Sequence, residues 1–125
     1  MKARLEMFAR VNLAVNNSIR WVSDQDLYGI QDYWTIPKQG LGDCDDYTLA
    51  KREQLAQAGI PMQDLRIAFC EVPGMGYHAV LVATDPETGD WVLDNRHQGP
   101  VRWSETGYIL HAIQAGDHWE KGAIA

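Results

Sequence analysis

The stretch Gly42-Asp43-Cys44-Asp45-Asp46-Tyr47 decides how the rest of this sequence is interpreted. Asp43 is a good N-cap, because its carboxylate can accept a hydrogen bond from a free backbone N–H at a helix start. Good helix formers follow, and Gly59 can take the left-handed conformation that ends many helices. The pattern therefore predicts a helix over 44–58 that carries Cys44 in its first turn.

Cys44 itself has two interpretations. In the first turn of a helix, free N–H groups and the macrodipole favour an anion, which lowers the pKa of a thiol and makes it a nucleophile. Free cysteine is also among the most buried residue types, so a small apolar core residue is the alternative. Position alone does not separate the two.

The composition predicts one globular domain spanning residues 1–125. The chain is 46% hydrophobic and 22% charged, and its net charge of −6 argues against a nucleic-acid partner. No apolar run is long enough for membrane insertion.

Residues 1–11 lack the apolar core of a signal peptide, so the sequence as written predicts a cytoplasmic protein. Two cysteines, Cys44 and Cys70, exclude a disulfide scaffold.

Before the Cys44 helix, the sequence predicts a helix and a long loop. Apolar residues recur at helical spacing over 3–22, which indicates an amphipathic packing helix. Residues 23–42 have the composition of an ordered loop rich in aromatic residues. We expect Tyr28 to pack on the core and Trp34 to face a substrate groove.

After the Cys44 helix, the pattern changes to short β-type runs separated by turns. Helices followed by strands in this order predict an α+β fold with an antiparallel meander. We expect a frayed tail from Gln114. The predicted strands are 65–72, 77–84, 91–94, a short one near 101–103 and a last one at 108–113.

Two residues have the setting that a cysteine nucleophile needs in its partners. His78 follows a glycine-rich turn at the start of an apolar strand, which suits a general base. Asp94 ends the neighbouring strand, where a carboxylate could hold the imidazole in one tautomer. The alternatives are an edge histidine bonded to backbone and a simple turn-starting aspartate.

The register of the strands that carry His78 and Asp94 tests this pairing. Side chains alternate between the faces of a strand, so an even loop between the two strands would send them to opposite faces. We therefore predict an odd-length turn in which Thr84 faces Asp90. The carboxylate of Asp94 should then lie within about 2.6–3.2 Å of the imidazole.

The other candidate groups lack such a setting. His97, His111 and His118 are expected to be surface or packing residues. No serine has the context of a nucleophile elbow, which disfavours a serine hydrolase. Cys70 lies in the middle of a predicted strand, where we expect a buried free thiol.

Three carboxylates surround the candidate nucleophile: Asp43, Asp45 and Asp46. Their charges should raise the pKa of the Cys44 thiol, and compensation by the helix dipole accounts for only one or two of them. A bound cation would account for all three. Clustered carboxylates without histidine suit calcium, although the spacing is not that of an EF-hand.

The separated motifs resemble those of one family. Asp32-Tyr33-Trp34, the Cys44 motif, His78-Ala79-Val80-Leu81 and Leu93-Asp94-Asn95 are similar, in order and spacing, to segments of the bacterial transglutaminase-like cysteine proteinases. This family includes the LapG-type adhesin proteases. The similarity covers about residues 8–110.

The resemblance implies a papain/transglutaminase-like fold, in which N-terminal helices, one carrying the cysteine, pack on an antiparallel sheet. It implies Cys44, His78 and Asp94 as the catalytic triad, and calcium at Asp43, Asp45 and Asp46. Asp45 stands where the family usually has a glutamate. Family members are periplasmic and cleave large surface adhesins at Ala-Ala sites under control of a cyclic di-GMP receptor, so a protein substrate and a regulatory protein partner are also implied.

The sequence therefore predicts a calcium-dependent cysteine endopeptidase. Two alternatives remain open at this point. Transfer of the acyl group to an amine would make the protein a transglutaminase-type acyltransferase. A chain that keeps the fold without turnover would be a binding module.

Overall fold

Two helices and an antiparallel sheet form the described part of the chain in a computed structural model. The structure describes residues 3–18, 20–21, 41–42, 44–116 and 118–121. Several side chains next to the gaps, including those of Cys44, Asp45 and Asp46, lie outside this description, as does the whole of 22–40 with its predicted loop.

The first helix, α1, spans Ala3–Ser18 and is shorter than the predicted helix over 3–22. The prediction was wrong at the C-terminal end, because Arg20–Trp21 forms a short strand, β1, that pairs in parallel with β2, Leu41–Gly42. This pairing joins residues about twenty positions apart, so the local sequence pattern gives no sign of it. It brings the end of α1 beside the chain that enters the next helix.

The second helix, α2, spans Cys44–Gln57, as the Cys44 motif predicts to within a residue. Gly59, two residues after the end of α2, has a φ of +103°, the left-handed conformation that glycine adopts without strain. Within the described residues, no helix has both the length and the apolar character needed to cross a membrane.

The strands of the main sheet lie in the order β5-β4-β3-β6-β7 within the described residues. The predicted meander holds for the first three strands and was wrong for the fourth, because β6 pairs with β3 and not with β5. A meander would leave the outer edge of β3 unpaired, and β6 satisfies those backbone groups. The predicted frayed tail was also wrong, since β6 continues into β7. The strands are β3 (Leu65–Val72), β4 (Gly76–Asp85), β5 (Gly89–Leu93), β6 (Ile109–Ala115) and β7 (His118–Glu120).

The segment 101–108 is not the short strand that the sequence predicts near 101–103. Val101 makes an isolated pair of backbone hydrogen bonds with Val92, at 2.7 and 3.1 Å, and Trp103–Glu105 then forms a 3₁₀ turn. The chain crosses the open face of the sheet here, which allows it to reach the free edge of β3.

Apolar side chains cover both faces of the sheet. On one face, Phe8 of α1 and Leu55 of α2 pack in one buried cluster with Leu81 and Leu93. The other face carries a second cluster, to which segment 101–108 contributes. Helices therefore shield one face and a crossing loop the other, which leaves the ends of β4 and β5 as the place where polar groups can reach solvent.

Candidate active site

The β4–β5 hairpin places His78 and Asp94 on one face of the sheet. Thr84 pairs with Asp90, so the observed register is the predicted one. The turn fits this register because Gly89, at its end, has a φ of +95°, a conformation that strains other residues. The register prediction is therefore confirmed.

The side chains of His78 and Asp94 form a short buried contact. The Nε2 atom of His78 lies 2.6 Å from Oδ1 of Asp94, and the two residues are only 8% and 1% exposed. An ionised carboxylate can only accept, so Nε2 carries the hydrogen. In the neutral imidazole, the other ring nitrogen, Nδ1, is then the acceptor.

Asp94 accepts four hydrogen bonds, two on each oxygen. Besides His78, the donors are the backbone N–H of Arg96 at 3.1 Å, the hydroxyl of Tyr108 at 2.6 Å and Nδ1 of His97 at 3.1 Å. Burial by itself would raise the pKa of Asp94. The hydrogen bond and positive charge of His78, with the bonds from Tyr108 and Arg96, outweigh it and hold the pKa below its ordinary value. The carboxylate is therefore ionised at neutral pH.

Tyr108 was not predicted as a site residue. Its ring is edge-on to that of His78, with centroids 5.7 Å apart, and its hydroxyl donates to Asp94. Burial, and then the contact with Asp94, raise the pKa of Tyr108 above its ordinary value. Tyr108 thus acts as a neutral donor. The sequence shows only an aromatic residue before a strand.

His97 was predicted to be a surface or packing residue, and its side chain is indeed one third exposed, but the prediction missed its contact with Asp94. Its Nδ1 contacts the same carboxylate as His78 does, because the turn after β5 brings residue 97 back over Asp94. The backbone N–H of His97 also donates to the carbonyl of Asp94 at 3.2 Å.

Helix α1 holds the turn after β5 through two asparagines. Asn12 Nδ2 donates to the carbonyls of His97 and Gln98, both at 2.9 Å. Asn16 Nδ2 donates to the carbonyls of Asp94 and His97, at 3.1 and 3.0 Å. A helix that the sequence predicts only to pack therefore also positions Asp94.

Helix α2 contacts strand β4 next to His78. Thr48 donates from Oγ1 to the carbonyl of Ala79, at 3.2 Å, directly after His78. Residue 44 lies one helical turn before Thr48, and residues four apart share a helix face. The backbone of Cys44 is thus at the N-terminal end of the helix face that contacts β4 beside His78.

Lys51 lies one turn further along α2 and is only 1% exposed. Its Nζ is 5.9 Å from the centroid of the Tyr47 ring. Burial lowers the pKa of Lys51 to about 7, although the nearby charge of Asp94 acts in the opposite direction. A titratable cation is therefore buried within electrostatic reach of the His78–Asp94 pair.

Cys70 is the buried free thiol that the sequence predicts in β3. Its Sγ contacts the carbonyl oxygen of His78 at 3.4 Å. Burial, and secondarily the charge of Asp94, raise the pKa of Cys70 to about 12. Cys70 is therefore a poor nucleophile despite its closeness to His78.

The predicted calcium ligands are not among the described side chains. Asp43 lies outside the described residues, and so do the side chains of Asp45 and Asp46. Among the side chains that are described, no group of three or more histidine, cysteine, aspartate or glutamate residues could hold a metal ion.

Comparisons with known proteins agree with this arrangement of helices and strands. Residues 1–122 match the family model of the bacterial transglutaminase-like cysteine proteinases (BTLCP). Among the curated proteins, none is a significant match.

Similar solved structures include three of LapG from Legionella pneumophila, one of them calcium-bound and another EGTA-treated. Each gives a TM-score of 0.76 at 23% identity over 91% of this chain, which establishes a shared transglutaminase-like fold. The chain spans about two thirds of the LapG chains, 66% of the first two and 64% of the third. Because the family model covers nearly the whole sequence, this protein belongs to the bacterial transglutaminase-like cysteine proteinases, a family of cysteine peptidases.

Proposed function

We propose that this chain is a cysteine endopeptidase in which Cys44 is the nucleophile, His78 the general base and Asp94 the residue that orients the base. The observation that carries the proposal is the buried 2.6 Å contact between His78 Nε2 and Asp94 Oδ1. Thr48, one turn into the helix that begins at Cys44, donates to the carbonyl of Ala79, the residue after His78. The family assignment and the fold of LapG support the same reaction class.

The first step is transfer of the thiol proton to His78. Since Asp94 holds Nε2, the nitrogen that accepts the proton is Nδ1. The ionised carboxylate stabilises the imidazolium that forms. The N-terminus of α2 favours the thiolate, which compensates part of the repulsion from the neighbouring aspartates.

The thiolate then attacks the carbonyl carbon of a peptide bond. The tetrahedral intermediate carries a negative oxygen, and the backbone N–H of Cys44 at the start of α2 is the donor we assign to it. The imidazolium returns its proton to the departing amine, which leaves an acyl group on Cys44. Water, activated by the same imidazole, releases the acyl group as a carboxylic acid.

Calcium at Asp43, Asp45 and Asp46 belongs to the proposal. Three carboxylates without a histidine form the oxygen donor set that this ion prefers, and one of the similar LapG structures is calcium-bound. When bound, the ion would neutralise charge around Cys44 and fix the junction between the preceding segment and α2.

Alkylation of Cys44 and cleavage of a peptide library test the proposal together. The wild-type thiol should react with iodoacetamide at neutral pH far faster than an ordinary cysteine, and Cys44→Ala should abolish both labelling and cleavage. The only thiol left in Cys44→Ala is that of Cys70. Because Cys70 is buried, we expect it to react slowly, and labelling of this variant measures the background. Carboxylate products indicate hydrolysis, whereas new amides formed with an added amine indicate acyl transfer.

The test of calcium binding compares the same protein before and after addition of a chelator. For protein shown beforehand to contain calcium, the chelator should slow alkylation and lower the melting temperature. An ion at 100 times its dissociation constant contributes about 2.7 kcal/mol to the free energy of unfolding. Cleavage retained by Cys44→Ala would end the peptidase proposal, and an unchanged melting temperature in chelator would end the calcium proposal alone.

A further inference from the structure

A groove of about 300 Å³ opens directly beside the candidate base. One wall is apolar and the other polar, with His78 between them. The apolar wall comes from the end of β3 and the turn into β4, and the polar wall from the turn after β5. The groove is lined by Val72, Met75, Gly76, Tyr77, His78, Asn95 and Arg96.

The apolar wall exposes two large side chains to solvent. Met75 is 71% exposed and Tyr77 is 83% exposed. The Tyr77 ring is held edge-on against His111, with centroids 5.4 Å apart, and the backbone N–H of Met75 donates to the carbonyl of Val72 at 2.9 Å. Exposed apolar side chains that border a concave site are a common mark of a binding surface.

The polar wall carries the guanidinium of Arg96. Arg96 is exposed, and among the described residues no carboxylate pairs with its guanidinium. Its Nη1 donates to the hydroxyl of Tyr108 at 3.4 Å, and the guanidinium lies 5.9 Å from the centroid of that ring. The side chain is therefore steered by the same tyrosine that donates to Asp94.

A second cavity of about 340 Å³ lies on the other side of Arg96. Val72 and Arg96 line both cavities, and His78 lines the first, so the two are neighbouring compartments of what we term the channel. An extended polypeptide that crosses His78 would place successive side chains in the two compartments, with the guanidinium between them.

We propose that this channel, lined by Met75, Tyr77 and Arg96, binds the substrate polypeptide through an apolar side chain on the Met75 and Tyr77 wall and an aspartate or glutamate on Arg96. The inference rests on the proposed peptidase function and adds the substrate class. A chain with a net charge of −6 generally repels acidic peptides. Arg96 is a local exception, because it lies beside the base and pairs with no carboxylate of the described residues. It selects the position of an acidic residue through the paired hydrogen bonds that guanidinium makes with carboxylate.

A pair of peptides tests the charge selection. First, a proteome-derived library digested with the wild type gives a preferred sequence. Two peptides of that sequence are then compared, with glutamate or glutamine at the selected position. We expect kcat/KM to be about tenfold higher for the glutamate peptide, as a charge-assisted hydrogen bond warrants. Arg96→Gln should bring this ratio close to one. Arg96→Glu should bring it below one and should favour a third peptide with lysine at the same position.

The readout is the ratio of kcat/KM for the glutamate peptide to kcat/KM for the glutamine peptide within each variant. Arg96 also contacts Tyr108, so its substitution will change kcat/KM for both peptides together. Arg10→Glu is the matched control, since it makes the same charge change at an exposed position on α1. Tyr77→Ser should raise KM for peptides with an apolar residue at the preferred position by about tenfold, and should leave the charge ratio as it is.

The two proposals fail separately. A wild-type ratio of one, or a ratio that Arg96→Glu and Arg10→Glu change alike, would overturn the groove assignment while the peptidase proposal stands. If the wild type cleaves no peptide, Kd values for Cys44→Ala decide the groove, measured with three synthetic peptides that carry an apolar residue followed by glutamate, glutamine or lysine. A tenfold preference for glutamate that Arg96→Glu inverts supports it, and equal affinity overturns it.

Discussion

Each end of the β4–β5 hairpin contains one buried aspartate, Asp85 at the turn and Asp94 at the open end, yet only the open end has the character of an active site. At the turn, Asp85 accepts from the backbone N–H of Glu87 and the hydroxyl of Thr88, both at 2.9 Å. Asp90 accepts from the hydroxyl of Thr84 at 2.6 Å and pairs with Arg66 at 3.1 Å. All four donors have fixed protonation at neutral pH.

At the open end, Asp94 is as well satisfied as the aspartates at the turn, but two of its donors are imidazoles. An imidazole that donates through one nitrogen can still accept through the other, whereas an arginine or a hydroxyl bound to carboxylate offers no such base. The open end also borders a groove. The comparison teaches that burial and saturated hydrogen bonding only stabilise a carboxylate. Chemistry requires a titratable partner at a cavity.

The largest effect is expected from Asp94→Asn. The amide keeps an acceptor for His78 but cannot stabilise an imidazolium by charge, so kcat should fall on the order of a hundredfold. The matched change at the turn, Asp90→Asn, should lower the melting temperature with less than about a threefold change in kcat. Peptide cleavage and thermal unfolding of both variants check this. Equal loss of kcat in the two variants would erase the distinction between the ends of the hairpin.

A smaller effect is expected from Tyr108→Phe. The change removes one neutral donor from Asp94 while the ring can remain in place, and a hydrogen bond to a charged group contributes about 1.5–3 kcal/mol. We expect kcat to fall about tenfold with little change in KM, and the pH dependence of Cys44 alkylation to shift. A lower melting temperature with an unchanged pH profile would mean that Tyr108 only supports the fold.

The smallest effect on kcat is expected at Lys51, whose titration acts instead on the pH dependence of stability. Burial lowers the pKa of Lys51 from 10.5 to about 7, so between these values the unfolded chain binds a proton that the folded chain lacks. The free energy of unfolding should therefore increase with pH across this window, by at most about 1.4 kcal/mol per pH unit.

Denaturant unfolding between pH 7 and 10 checks the Lys51 prediction. Lys51→Met should flatten the increase, whereas Lys121→Met, which removes an exposed lysine, should retain it. Parallel curves for the two variants would show that the folded state holds Lys51 charged throughout this range.

Local signals in the sequence identified the helix that begins at Cys44 and the pairing of His78 with Asp94. Capping residues marked the helix, and strand alternation with a glycine-containing turn marked the register. Contacts that join distant segments could not be predicted in this way. Tyr108 reaches Asp94 because segment 101–108 crosses the sheet, and a meander would have placed it elsewhere.

The asparagines of α1 illustrate the same limit. Asn12 falls on the same helix face as Phe8 and Val15, and it is fully buried against the turn after β5. Helical spacing distinguishes apolar from polar faces, but it cannot reveal a polar residue whose partner is a distant backbone carbonyl. The C-terminal end of α1 was mispredicted for a related reason, since β1 pairs with a strand about twenty residues later.

The hydrogen bonds from Asn12 and Asn16 also set the order in which the site can assemble. They join residues 78 to 86 positions apart, and such long closures form late in folding. The hairpin with His78 and Asp94 can pair locally before α1 docks on its outer turn. A partly folded chain therefore carries the reactive groups without their alignment. Undocking of α1 should stop catalysis before the sheet unfolds, so that loss of activity precedes loss of structure on heating.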